Sequence, residues 1–213
     1  IAKFPSRYDD YDIAAWEFVA YKLAVSAGVN MVESRIQKIN SHHHTFLTKR
    51  FDRTPTSRLH FTSAMTQLGY YDGDYAASYL ELAQFLTEHG SNTKEDLAQL
   101  WRRIVFNIAV SNTDDHLRNH GFIYSNGGWL LSPAYDINPV TPANGLHLNI
   151  SNDDNSLDYE LAMDVVAFFQ LSKPQAQRIK DEVLNSVVDW EKVANSIQIS
   201  RNEQQVMRDA FNV

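Results

Sequence analysis

The chain has 213 residues, 44% hydrophobic and 12% aromatic, enough to bury one large core or two smaller lobes, which excludes a disordered tail. A formal charge of -7 and a pI near 5.6 give no electrostatic footprint for direct binding of nucleic acid or an anionic membrane, so a nucleotide or a protein is the expected partner. Cysteine is absent, which excludes a disulfide framework and a thiolate metal site. With no signal peptide and no long apolar run, the expected location is the cytoplasm.

The opening IAKFP reads as the end of a strand stopped by Pro5, and its abrupt start without an initiator Met is the pattern expected of a fragment. A polar loop leads to a helix expected from Asp12 to Ala27, with Ile13, Trp16, Ala20, Leu23 and Ala24 at helical spacing and Gly28 as its stop. Glu17 falls on the same side. Burying it requires a cation, and Lys3 on the preceding strand is the candidate. The competing reading leaves both at the surface, where Lys and Glu are usually found.

From Met31 to Ile39 and from Thr45 to Phe51 the residues suit an antiparallel pair joined by NSHHH. Adjacent histidines on a strand end point to opposite faces, so His42, His43 and His44 are expected to be structural or superficial rather than metal ligands. TSAMTQLGYYDGDYA is a mixed region with loops at Gly69 and Gly73, and the crossing between a small N-terminal lobe and a larger helical one. A short helix is expected from Ala76 to Glu88. A stronger one follows Thr93, with Thr93 and Asp96 resembling a capping box and a stripe from Leu97 to Ala109 facing the core. GFIY and WLLS are two strands around Ser125-Asn126-Gly127-Gly128. Helices are then expected from Asp158 to Leu171, from Ser172 with Pro174 in the first turn, and toward Phe211.

The chemistry concentrates between Ser111 and Asp136. Asp114 and Asn119 stand five positions apart just past the apolar helix. A TDDH cluster could simply be a solvated loop, and the spacing alone is weak evidence. Asp136 discriminates, because it follows the apolar WLLSPAY, which needs no acid for folding, and the hairpin is short enough to lay it beside Asn119. The Asp136 carboxylate and the Asn119 amide oxygen are hard ligands suited to Mg²⁺, and Asp114 would orient a hydroxyl for phosphoryl transfer.

TDDHLRN and LSPAYD, with FDR at Phe51 to Arg53 and a Lys3 strand before a Glu17 helix, resemble the HipA family of bacterial serine/threonine kinases over nearly the whole chain. The resemblance implies an α+β, two-lobed, protein-kinase-like fold: residues 1-55 a partial N-lobe with antiparallel strands, residues 56-213 a mostly helical C-lobe with the catalytic loop and metal-binding hairpin. It implies Asp114 rather than Asp115 as the catalytic acid, His116 in support, and Asn119 and Asp136 as metal ligands. It further implies that Lys3, paired with Glu17, meets the phosphates of ATP, and that Leu47 to Phe51 forms the hinge against which adenine packs, with Asp52 within reach of the ribose. Lys49 stands where some members carry an acid, a departure that alters the hinge. No glycine-rich phosphate-covering loop is present in this sequence; the family places it upstream of Ile1.

The family's best-known members are toxins of toxin–antitoxin systems that phosphorylate aminoacyl-tRNA synthetases. The resemblance therefore implies ATP and Mg²⁺ as cofactors, a protein substrate of that kind, and an antitoxin partner through which DNA is reached only indirectly. Two readings compete: a catalytically silent kinase-like binding module, and a metal-dependent phosphodiesterase using Asp114, Asp115, His116 and Asp136.

Overall fold

In the computed structural model, which describes residues 1–74 and 76–213, the opening loop ends at Asp12, whose carboxylate accepts the Ala15 N–H at 3.2 Å and so caps a helix. That helix, α1 (Ile13–Ser26), buries Trp16, Ala20, Leu23 and Ala24. Ile13 is exposed instead of sharing the stripe, because it occupies the first helical position, at the rim of the core. Asp12 also accepts the His44 N–H, and its Oδ2 lies 2.6 Å from His44 Nδ1, so the last histidine of the tract fastens a strand to the helix start.

Strands β1 (Ala2–Lys3), β2 (Ser34–Lys38) and β3 (His44–Thr48) form an antiparallel sheet in the order β1-β3-β2, with Phe46 opposite both Lys3 and Ile36. β2 and β3 are shorter than expected. Met31 and Val32 are drawn away to Ala134, whose carbonyl accepts the Val32 N–H at 3.0 Å, just ahead of Asp136.

A second sheet comprises β4 (Phe61–Ser63), β5 (Gly121–Ser125) and β6 (Gly128–Leu131), in that order and antiparallel. The β5–β6 turn is Asn126 and Gly127, both at positive φ (55° and 80°), the two-residue hairpin geometry whose twist matches the strands. β4 and the helix α2 (Ala64–Leu68) after it fall at the start of the mixed region, to which the sequence assigned no regular element, and Gly69 ends α2; Ser63 caps α2 by accepting the Thr66 N–H. Gly121 is required at the crossing, since a Cβ there would lie 2.3 Å from Phe61 Cε2. Tyr75, within the expected loop region, lies outside the described residues.

Helices α3 (Tyr79–His89) and α4 (Thr93–Ala109) form the scaffold of the larger lobe. The expected Thr93/Asp96 capping box does not form: Asn92 is the N-cap, and Asp96 accepts the Leu131 N–H from β6 at 2.9 Å. A tertiary donor has taken the carboxylate from its local one. The stripe from Leu97 to Ala109 is buried as its period requires.

The expected helix from Asp158 to Leu171 is broken into α5 (Tyr159–Asp164) and a 3-10 turn (Val166–Phe169) ending at Gln170 with φ 53°. The Trp101 indole N–H donates to the Ala162 carbonyl at 3.1 Å and competes for the acceptor a continuing helix would give to Val166. α6 (Lys173–Val187) starts with a Ser172/Gln175 capping box and Pro174 in its first turn. The final stretch is α7 (Trp190–Ser196), α8 (Arg201–Met207) and a 3-10 turn. Trp190 stacks on Phe211 at 4.4 Å and Trp16 lies 6.2 Å from each, so α1 packs on the C-terminal helices as well as on the first sheet, and the apolar core runs unbroken across residue 55. Among the described residues no helix is long and apolar enough to cross a membrane.

Candidate active site

β1 ends on the sheet face that α1 covers, and Lys3 points from it toward Glu17. Its Nζ donates to Glu17 Oε1 at 2.6 Å and also to Asp136 Oδ1. Glu17 is 4% exposed; burial pushes its carboxyl up to about 7, with Lys3 partly offsetting the shift. Burial works against the Lys3 charge, but Glu17 and Asp136 outweigh it and hold the ammonium above its usual range. The surface reading of this pair does not apply. Asp136 reaches the pair from a left-handed backbone conformation, φ 59°, which Asp tolerates better than most residues.

These three groups stand at one wall of a cleft of about 280 Å³ that is also lined by Lys49, Phe51 and Asp52, so the five expected nucleotide-binding residues share a single cavity with Asp136. Phe51 stacks on Tyr135 at 5.7 Å and meets Phe61 edge-on at 5.3 Å, which makes an aromatic floor. Asp52 is bound by Arg50 through Nε at 2.8 Å and through the second nitrogen, and the Arg50 hydrogen bond holds its carboxyl below the usual range. Lys49 pairs with Glu33 at 3.1 Å, both exposed.

Asp114 and His116 line a different, more polar cavity of about 340 Å³, with Arg118, Asp72 and His147. Asp114 is exposed, whereas its neighbour Asp115 is turned into the core. Asp115 Oδ2 receives the Tyr79 hydroxyl at 2.5 Å, Asn107 Nδ2 at 2.6 Å and His120 Nε2 at 2.9 Å. Burial disfavours its charge, but His120, Tyr79 and Arg103 outweigh that and keep the carboxyl below its usual range. Asp115 thus anchors the loop and leaves Asp114 at the surface. The His116 ring meets His147 edge-on at 5.7 Å.

Asn119 is buried, and its Nδ2 donates to the Asp114 carbonyl at 3.0 Å, closing the loop on itself. Tyr135, next to Asp136, donates to the carbonyl of Arg118, next to Asn119, at 2.8 Å. The two candidate metal ligands therefore belong to loops tied by a direct bond. Asn119 lines neither cavity, but the donor chemistry suits a cation: Asn119 has committed its NH₂ group, which leaves Oδ1, Asp136 offers carboxylate oxygens, and the buried Asn138 Oδ1 near Asp136 has no hydrogen-bond partner. Among the described residues no three His, Asp or Glu side chains converge as a metal cage. A donor set this small fits an ion that keeps water and phosphate oxygens as its other ligands.

Tyr135, Phe61, Asn107, Asn112 and Asn138 were not singled out from the sequence, although each contacts a site residue or a partner of one. The signal was present for Asn107, a polar residue inside the apolar stripe of α4.

The HipA-like C-terminal domain family matches residues 1–191. A protein of Haemophilus influenzae named "Putative kinase" is 33% identical over 107 residues, 46% of this chain and 31% of that protein. "Putative kinase Y4dM" of Sinorhizobium fredii is 28% identical over 156 residues, 67% of this chain and 37% of that protein. The chain thus spans about a third of the length of these relatives. Among solved structures, HipA of Shewanella oneidensis MR-1, in a toxin–antitoxin complex with HipB and operator DNA, superposes with a TM-score of 0.75 at 16% identity, covering 98% of this chain and 55% of that one. The Helicobacter pylori proinflammatory kinase CtkA gives a TM-score of 0.58 at 12% identity, covering 98% and 88%. At such identities the likeness is one of fold, and the fold is the α+β, kinase-like one expected.

Proposed function

This chain belongs to the family of HipA-like C-terminal domains, and from that premise we propose that it is the catalytic part of an ATP- and Mg²⁺-dependent protein serine/threonine kinase. The observation that carries the reading is the contact of Lys3 with both Glu17 and Asp136 in a cleft with an aromatic floor. A lysine braced by a buried glutamate and touching a candidate metal ligand is suited to hold nucleotide phosphates beside an ion.

Adenine would lie against Phe51, Lys49 would border the cleft mouth, and Asp52 would reach the ribose only by leaving Arg50. Mg²⁺ would be held by Asp136 and Asn119, and would supply charge neutralisation on the phosphoryl group. Asp114 would orient the acceptor hydroxyl from the second cavity and take its proton as the oxygen bonds to the γ-phosphorus and the bond from that phosphorus to the bridging oxygen breaks, releasing ADP, with His116 beside it in support. The substrate would be a protein, such as an aminoacyl-tRNA synthetase. The partner would be an antitoxin that in turn contacts DNA, the arrangement named for the Shewanella HipA complex. The expected compartment is the cytoplasm.

The test is transfer of labelled phosphate from ATP to serine or threonine by the complete protein, with Asp114→Asn and Asp136→Asn as controls. Transfer lost in both variants with the fold intact supports the reading; normal transfer in the double variant ends it. Calorimetry with ATP and Mg²⁺ separates the alternative, since a protein that binds no nucleotide would be the silent scaffold.

A further inference from the structure

We propose that Asn107, Asn112 and Asn138 are positioning residues, an amide relay that locks the loop carrying Asp114 to the loop carrying Asp136. The proposal rests on the kinase reading for its consequence, but its geometry stands apart from it. Asn107 and Asn112 are 1% and 0% exposed. The relay starts at the anchor of the first loop, where Asn107 Nδ2 donates to Asp115 Oδ2 at 2.6 Å. Asn112 Nδ2 donates to Asn107 Oδ1 at 3.1 Å, and Asn112 Oδ1 accepts the backbone N–H of Asn138 at 3.2 Å. Asn138 Nδ2 faces Asp136 Oδ1 at 3.4 Å.

Amides suit this task because each presents a donor and an acceptor, so a chain of them passes through a core without burying charge. The last side-chain link is long. The hold on Asp136 therefore comes mainly through the backbone: with Asn138 N–H pinned two residues on, the left-handed turn at Asp136 is fixed from its far side. An outer partner of a metal ligand typically changes metal affinity by about 10–100-fold when removed.

The experiment uses the complete protein with Asn107→Ala, Asn112→Ala and the double variant, which cut the side-chain links and leave the Asn138 side chain in place. Hydrogen exchange at the Asn138 amide, followed by NMR, should accelerate in Asn112→Ala. Mn²⁺ binding, read by electron paramagnetic resonance, should weaken about tenfold in each single variant and no further in the double, because links in series do not add. Unchanged exchange at Asn138, or Mn²⁺ losses that multiply in the double, would overturn the relay. If Asn112→Ala does not fold, Asn107→Ala alone decides, and unaltered exchange at the Asn138 amide in it counts against the proposal. Should the wild type neither bind Mn²⁺ nor transfer phosphate while Asn138 exchange still responds to Asn112→Ala, the relay is upheld and the kinase reading fails.

Discussion

Lys3 and Asp136 stand 133 positions apart in the chain, yet the Lys3 ammonium bonds the Asp136 carboxylate directly. The same ammonium compensates Glu17, so its removal has two separable effects. Lys3→Met strands a buried carboxylate and should lower stability in urea by roughly 2 kcal/mol, less than an orphaned charge costs because Glu17 can take up a proton. Lys3→Met with Glu17→Met should recover most of that loss in the same measurement. Nucleotide binding, followed by calorimetry, should remain lost in both.

Glu17 predicts a pH dependence whose sign follows from linkage. Its carboxyl is raised from 4.5 to about 7 in the folded chain, so between those values the native state holds a proton the unfolded chain has released. Its contribution is fully present below pH 4.5 and lost as pH rises through about 7. Glu17→Gln should flatten that decline, and urea midpoints at pH 5 and pH 8 should lie closer together than in the wild type. Equal spacing in both proteins would mean that Glu17 does not carry the proton.

Asp114 and Asp115 should separate function from stability. Asp115→Ala leaves the Tyr79 hydroxyl, Asn107 and His120 without their shared acceptor, at a cost of about 3–5 kcal/mol. Asp114→Ala removes an exposed side chain, and its unfolding midpoint should stay near that of the wild type while transfer is lost. Because the Asp115 carboxyl is lowered by folding, its contribution is present above pH 3.8 and lost as pH falls through the folded value. Acid unfolding of Asp114→Ala should therefore track the wild type, whereas Asp115→Asn should lose this dependence.

The parts of the site that could be read from the sequence are those where spacing alone carries meaning. The five-residue step from Asp114 to Asn119, the hairpin returning to Asp136, and an acid on the apolar side of α1 are local patterns, and the structure keeps each of them. The Asn107, Asn112 and Asn138 contacts were out of reach, because an amide takes its role from whichever group the tertiary fold brings to it, and its spacing says nothing of that. β4 was missed for a related reason: Phe61–Ser63 is too short to show alternation and is a strand only because β5 lies beside it. The same physics undid the Thr93/Asp96 box, whose sequence is right and whose carboxylate was claimed by a strand 35 residues away.

That displaced carboxylate supports the last prediction. Asp96 joins the scaffold helix α4 to β6, the strand that delivers the chain to Asp136, through the Leu131 N–H at 2.9 Å. Burial raises its carboxyl, opposed by the Leu131 N–H and by Arg103. Asp96→Ala leaves the Leu131 N–H without its acceptor in an apolar setting, which should cost about 1–3 kcal/mol. Asp96→Asn retains an acceptor oxygen and should recover a large part of the loss. If the bond also steadies the route to Asp136, Leu131 and its β6 neighbours should exchange their amides faster in Asp96→Ala, while helix α6 is unaffected. Uniform acceleration across the whole chain would instead mean that the bond contributes only to global stability.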